Sequence, residues 1–197
     1  MKIELRFAAC ALAVVLLAAA APSWSGPTPA KPQGMPAAKA SGDSSVLKDL
    51  TADWGRQKAT MMAISDAMPE DKFGYKSTPP QRNYGEQIMH IALVNVQLLK
   101  VVGGKAPAPT FTAQSVKTKA DMLKALSDSY DYGLALLKEQ NDASIVQTIP
   151  APAFLGPSTR ARIFWTLLGH TNDIYGQMAV YLRLNGIVPP ASRNPMP

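Results

Sequence analysis

The stretch LLGHTNDIYGQMAVYLRLNGIVPP, residues 167–190, predicts the last long helix of the protein. Apolar residues return along it with a helical period, and Gly186 followed by two prolines predicts its end. The apolar stripe comprises Ile163, Leu167, His170, Ile174, Gln177, Tyr181 and Leu184. A buried imidazole without a partner costs about 1 to 3 kcal/mol, so we expect His170 to meet polar groups from other helices.

Three further helices are predicted upstream. An amphipathic seam begins at Leu47 and ends at Met68, before a proline. The pair Asn83 and Glu86 resembles a capping box and opens a second helix over 84–102, which is apolar nearly all round. A third helix is expected over 119–140, and the last one over 160–185 after a Ser or Thr cap. No strand pattern stands out, so the predicted fold class is all-α, a four-helix bundle.

The first 45 residues read as an export signal and a linker. Residues 1–25 combine a short basic start with an apolar run of about 14 residues, which is shorter than a membrane span, and small residues predict cleavage near Ser25. Residues 26–45 are a linker rich in Pro and Ala, and 46–193 form the domain. We expect a periplasmic or secreted protein. Cys10 is the one cysteine of the chain, and we expect it to be removed with the signal peptide. Attachment of a lipid to Cys10 is the less favoured alternative, because this residue precedes most of the apolar run.

The composition of the chain indicates which classes of partner to expect. The net charge is +6, but the basic residues are scattered, so we expect no nucleic-acid partner. We also expect no membrane span in the mature chain, and regard a small molecule as a possible partner. A homodimer or envelope scaffold through exposed apolar helix faces is a further hypothesis. The sequence has no phosphate loop, nucleophile elbow or paired-cysteine motif, and its methionines are expected to fill the core.

Both histidines of the chain, His90 and His170, fall in the middle of predicted helices. They are candidate metal ligands, although a hydrogen-bonded core histidine is the commoner role for such a residue. A third ligand would have to be a carboxylate, for which Asp173 and Glu86 are the candidates. Each is more simply a solvated charge or, for Glu86, a capping residue. Further polar residues that could converge on the same interior are Gln57, Gln87, Gln97 and Gln177.

The segments YGEQIMHIALVNVQLL and LGHTNDIYGQMAVYLRLNGIVPP together resemble the DinB/YfiT-like family, over most of the chain from about Leu47 to Arg193. The resemblance implies an up-down-down-up four-helix bundle. It also implies a divalent metal held by three histidines, one from the second helix and two from an H-x-x-x-H pair in the last. Members with known activities include transferases and isomerases that use low-molecular-weight thiols.

Residue by residue, His90 matches the second-helix ligand and His170 the first histidine of the last-helix pair. Ile174 stands where the second histidine of that pair would be. A divalent metal (zinc, nickel or iron) is therefore expected to bind weakly or not at all. We interpret the chain as an exported member with a degenerate metal site that binds a small ligand or partner. The alternative is a metal-dependent hydrolase or thiol-type transferase that uses His90, His170 and a carboxylate; no catalytic residue is assigned.

Overall fold

The structure is a computed structural model that describes residues 45–112 and 115–193. The signal segment predicted over 1–25 lies outside the described residues. The linker predicted over 26–45 also lies outside them, except for Ser45, which caps the first helix. The domain predicted over 46–193 contains every helix and strand described below.

Helices dominate the described residues, which confirms the predicted all-α class. The long helices are α1 (Val46–Ala67), α2 (Tyr84–Val102), α3 (Lys119–Lys138) and α5 (Arg160–Leu184). A single helical turn, α4 (Asp142–Ile145), lies between α3 and α5, and 3-10 turns cover Glu70–Lys72 and Pro190–Ser192. A two-residue antiparallel pair, β1 (Thr148–Ile149) with β2 (Ser158–Thr159), was not expected from the sequence. Strands of two residues are too short to show an alternating pattern.

Helix boundaries follow local capping. Asn83 and Glu86 form the expected capping box at the start of α2, each side chain bonding the other residue's backbone N–H. Thr118 and Asp121 form a second one at the start of α3. At the other end of α2, Gly103 has a φ of 73°, a backbone conformation that glycine adopts without strain.

The four long helices form a bundle in which α1 and α2 each pack against both α3 and α5. Contacts between helix ends give the directions. Lys119 Nζ, at the start of α3, donates to the carbonyl of Met68, just after α1. Arg160 Nε, at the start of α5, donates to the carbonyl of Val102 at the end of α2. The α1–α3 and α2–α5 pairs are therefore antiparallel. The up-down-down-up order stays a prediction, which these contacts support.

The core is centred on Trp54 of α1. Its ring packs edge-on to Phe164 of α5 with centroids 5.2 Å apart, and its indole N–H donates to the carbonyl of Tyr130. The backbone of Gly133 lies directly against the indole, where a Cβ would approach it to 2.6 Å. A glycine permits this close approach because it has no Cβ.

One apolar residue of the predicted stripe on α5 is exposed. Leu184 is 59% exposed, because the buried stripe in the last turns passes through Met178 and Leu182 instead. The other apolar members, Ile163, Leu167, Ile174 and Tyr181, are buried as expected. No helix within residues 45–112 and 115–193 is long and apolar enough to cross a membrane.

Candidate metal centre and ligand pocket

His90 and His170 meet directly across the interface between α2 and α5. Their Nε2 atoms lie 3.1 Å apart, and their rings are tilted by 58° with centroids 5.0 Å apart. One imidazole donates and the other accepts, because a hydrogen bond between two ring nitrogens needs one protonated partner. The structure thus brings together the two candidate ligands, which stand 80 residues apart in the chain.

Both rings lie in surroundings that favour the neutral form. Burial lowers the pKa of His90 to about 4, with further lowering by the positive charge of Arg82 and by His170. Burial also lowers the pKa of His170, and Arg82 acts in the same direction, whereas Asp173 opposes it. The imidazole pair is therefore uncharged at neutral pH, as metal ligands are, but it lies beside a fixed cation.

Two glutamines lie at the same interface as the histidines: Gln87 is three residues before His90 on α2, and Gln177 is seven residues after His170 on α5. Gln87 Nε2 donates to Gln177 Oε1 over 2.8 Å, and Gln177 Nε2 donates to Asp173 Oδ2 over 3.0 Å. Gln87 and Gln177 were expected to face the interior, and the structure joins them. Gln57 of α1 is half-buried, and its Nε2 has no hydrogen-bond partner in the described part of the chain. Gln97 is exposed and lines a different cavity, so it does not join this polar group.

The two candidate carboxylates are both exposed. Asp173 accepts a hydrogen bond from Gln177, as described above. Glu86 accepts from the backbone N–H of Asn83 over 2.7 Å and lies 3.7 Å from Lys76 Nζ. The capping role expected for Glu86 is what the structure shows.

The spacing of the two histidines suits a metal ion, but the remaining donors that an ion needs are missing among the described residues. Two imidazole nitrogens bound to one tetrahedral zinc at the usual bond length are about 3.3 Å apart, close to the separation of the His90 and His170 Nε2 atoms. The resemblance predicts a third ligand at position 174, where Ile174 carries no donor and is 2% exposed. Within residues 45–112 and 115–193, no cluster of three His, Cys, Asp or Glu side chains could hold an ion.

A ligand histidine also needs support on its second ring nitrogen. Metal-bound histidines almost always donate that N–H to a carboxylate, carbonyl or water, which fixes the ring. The Nδ1 atom of His170 is buried without a partner among the described residues. The residues present therefore supply two donors for a metal and lack both the third donor and the support of one ring, so they do not fit a tightly held ion.

An open cavity of about 410 Å³ lies beside His90. It is lined by Lys76, Pro80, Gln81, Arg82, Glu86, Met89, His90 and Leu93. The sequence analysis missed Arg82, which in the described part of the chain has no acidic partner. Its position immediately before the Asn83 cap, two helical turns ahead of His90, is the signal that could have indicated it.

The fold and this site define a class: a helical bundle with a histidine pair between its second and last long helices. The sequence profile of the DinB superfamily matches residues 53–178, more than half of the chain. The chain belongs to the DinB superfamily.

Solved structures support the same fold. The chain is similar to a DinB-like protein from Bacillus cereus, with a TM-score of 0.64, 17% identity, and coverage of 73% of this chain and 95% of that one. It is also similar to a DinB-like protein, YjoA, from Bacillus subtilis, with a TM-score of 0.56, 16% identity, and coverage of 70% and 92%. The search of curated proteins gave no match. At these identities the likeness concerns the fold alone.

Proposed function

We propose that this chain is an exported ligand-binding member of the DinB superfamily, with a degenerate metal site and a pocket for a small molecule that carries a negative charge. The observation that carries the proposal is the direct hydrogen bond between His90 and His170 beside Arg82. The two nitrogens that would bind an ion satisfy each other, and the third ligand position holds the hydrocarbon of Ile174.

The positive charge of Arg82 favours an anionic over a cationic ligand. Its field lowers the pKa of both imidazoles, and the same field raises the free energy of a divalent cation bound between them. An anion in the adjoining cavity gains from that field. An arginine also offers the planar pair of N–H donors that matches a carboxylate or phosphate group. Lys76 lines the same cavity and adds positive charge, partly offset by Glu86.

Elemental analysis of the untagged chain from Gly26 onward tests the proposal that the metal site is degenerate. The same analysis is made on Ile174→His and on a control variant, Ile174→Leu, which adds no donor. We expect the native chain and the control to hold far less than one metal per chain after dialysis. We expect Ile174→His to bind zinc about 100-fold more tightly, since one metal–imidazole bond contributes several kcal/mol. About one tightly held metal in the native chain would overturn the degenerate-site proposal.

The ligand part is tested by titrating butyrate into the native chain and following the imidazole nitrogen resonances by NMR. We expect shifts that saturate in the native chain and are lost in Arg82→Gln. Lys48→Gln, a change on the first turn of α1, serves as the control and should leave the titration unchanged. No response of either imidazole to butyrate or to inorganic phosphate would count against an anion site.

A second candidate function is a divalent-metal-dependent hydrolase or thiol-type transferase. The separation of 3.1 Å between the two Nε2 atoms favours it, because that spacing suits two ligands of one ion. His90, His170 and either Asp173 or Glu86 would supply the donors. If His170→Ala leaves metal content and any detected hydrolysis unchanged, this candidate fails.

Export rests on the sequence of residues 1–25. A basic start, an apolar run and small residues near Ser25 are what signal peptidases require. Mass spectrometry of the protein recovered from the periplasm or medium should give a chain that starts near Gly26. A control variant, Leu16→Arg, should keep the full-length chain inside the cell. Full-length native protein found only in the cytoplasm would contradict export.

A further inference from the structure

A second cavity lies next to the one beside His90. It has a volume of about 730 Å³ and is lined by one side of α2 and by the segment that follows α2. Leu93 lines both cavities, so the two adjoin at this side chain. Each volume lies in the range of pockets that hold small molecules.

Both cavities follow one stripe of α2. His90, Leu93, Gln97 and Lys100 are spaced by three or four residues and therefore share a helix face. The rise of a helix places Lys100 about 15 Å from His90 along the axis. Taken together, the two cavities form a groove that extends along the helix axis rather than into the core.

The chemistry of the groove changes along its length. At one end are the cationic groups Lys76 and Arg82 with the neutral His90, and the carboxylate of Glu86 offsets part of the charge of Lys76. In the middle, apolar side chains line it: Leu93, Val96, Pro109 and Phe111. Leu93 is 37% exposed and is among the large apolar side chains that the bundle leaves in contact with solvent. Lys100, at the far end, can lay its apolar stem along the groove while its ammonium group stays in water.

We propose that the two cavities form one site for a free amphiphilic carboxylate with an unbranched apolar chain. The carboxylate binds at Arg82 and Lys76, and the chain passes over Leu93 to lie against Val96 and Phe111. This inference rests on the proposed anion site and names its ligand class. Charge complementarity at one end and exposed apolar surface beyond it select this ligand over a short anion, which would leave the second cavity empty.

The test is a chain-length series of butyrate, octanoate, decanoate and dodecanoate, each kept below its micelle concentration and measured by calorimetry against the native protein. We expect affinity to rise along the series, by up to about fourfold per methylene that the groove covers. Decanol, which has the chain without the charge, should bind much more weakly than decanoate. These two comparisons separate the contribution of the chain from that of the carboxylate.

Variants test whether the gain in affinity with chain length comes from contacts in the groove. Leu93→Gln and Phe111→Ser should flatten the dependence on chain length. Phe111 lines only the second cavity, so Phe111→Ser should also leave butyrate binding unchanged. Arg82→Gln should weaken every carboxylate and leave decanol unaffected. Val180→Gln changes an exposed apolar residue on the outer side of α5 and serves as the control for non-specific adsorption.

Two results would overturn the inference, and they are distinguishable from failure of the proposed function. If butyrate binds but affinity does not rise with chain length, the anion site stands and the amphiphile inference is wrong. If the rise with chain length persists in both Leu93→Gln and Phe111→Ser, the chain binds elsewhere and the inference is again wrong. If no carboxylate binds, the proposed function fails as well.

Discussion

The Nε2 atoms of His90 and His170 are 3.1 Å apart, so each imidazole is the hydrogen-bond partner of the other. This contact satisfies two half-buried polar groups that would otherwise lack partners at the α2–α5 interface. It can accommodate one added proton but not two, because two imidazolium rings would oppose N–H to N–H. The pair is thus an element of stability as well as a candidate ligand site.

Stability should fall as the solution is acidified. Burial, Arg82 and His170 lower the pKa of His90 to about 4, whereas an imidazole in the unfolded chain has a pKa near 6.5. Between these values the unfolded state binds more protons than the folded state, so the free energy of unfolding rises with pH across this window. Stability present above pH 6.5 is therefore lost as the pH falls toward about 4.

Urea unfolding of the metal-free chain at several pH values within this window checks this prediction. The double variant His90→Gln, His170→Gln should show a weaker dependence on pH. The Asp121 carboxyl also has a lowered pKa, through hydrogen bonds from Thr118, and it contributes in the same direction at the acidic end of this window. Equal pH dependence in the native chain and the double variant would show that the histidines do not carry the effect.

The two histidines should be energetically coupled. His90→Gln and His170→Gln each remove one partner of the hydrogen bond and should each destabilise the fold by about 1 to 2 kcal/mol at pH 7. The double variant should cost less than the sum of the single ones, because the second change removes a group already left without its partner. Urea midpoints of the four proteins measure the coupling. Strict additivity would mean that the contact contributes nothing.

Gly133→Ala should destabilise the bundle. A Cβ at this position would lie 2.6 Å from the indole of Trp54, which is fully buried and held by its bond to Tyr130. Overpacking of this kind costs about 1 to 3 kcal/mol. The matched control is Gly55→Ala on α1, where a Cβ meets nothing within 4 Å and the gain in helix propensity should be stabilising. Thermal unfolding of both variants tests this prediction. Equal shifts of the unfolding temperature in the two variants would refute the close packing at Gly133.

Tyr84→Phe should remove a buried bond between α1 and α2. The hydroxyl of Tyr84 donates to the carbonyl of Ile64, and the side chain is fully buried. Loss of the donor should cost about 1 to 2 kcal/mol. Tyr132→Phe is the control, since that hydroxyl has no hydrogen bond in the described part of the chain. A Tyr84→Phe protein that unfolds at the same urea concentration as the control would contradict this role.

Much of the fold was determined by the sequence itself. Helix limits follow from short-range rules, as at Asn83, where the expected capping box forms, and at Gly186, which ends the last helix. The apolar seam of α1 and the all-α class follow from periodicity, since a helix presents every third or fourth residue to the same neighbour. The isoleucine at position 174, one helical turn after His170, is also read directly from the chain.

The arrangement of residues in the candidate site follows only from the tertiary structure. Helix α2 is buried on nearly all sides, so its apolar pattern does not say which residues face α5, and the contact of His90 with His170 could not be placed in advance. The position of Arg82 before the Asn83 cap is a weak signal in the sequence, and only the fold shows that Arg82 and Leu93 line one cavity with His90. Helix formation depends on neighbours within a few residues, whereas a site depends on residues some 80 positions apart that only packing brings together.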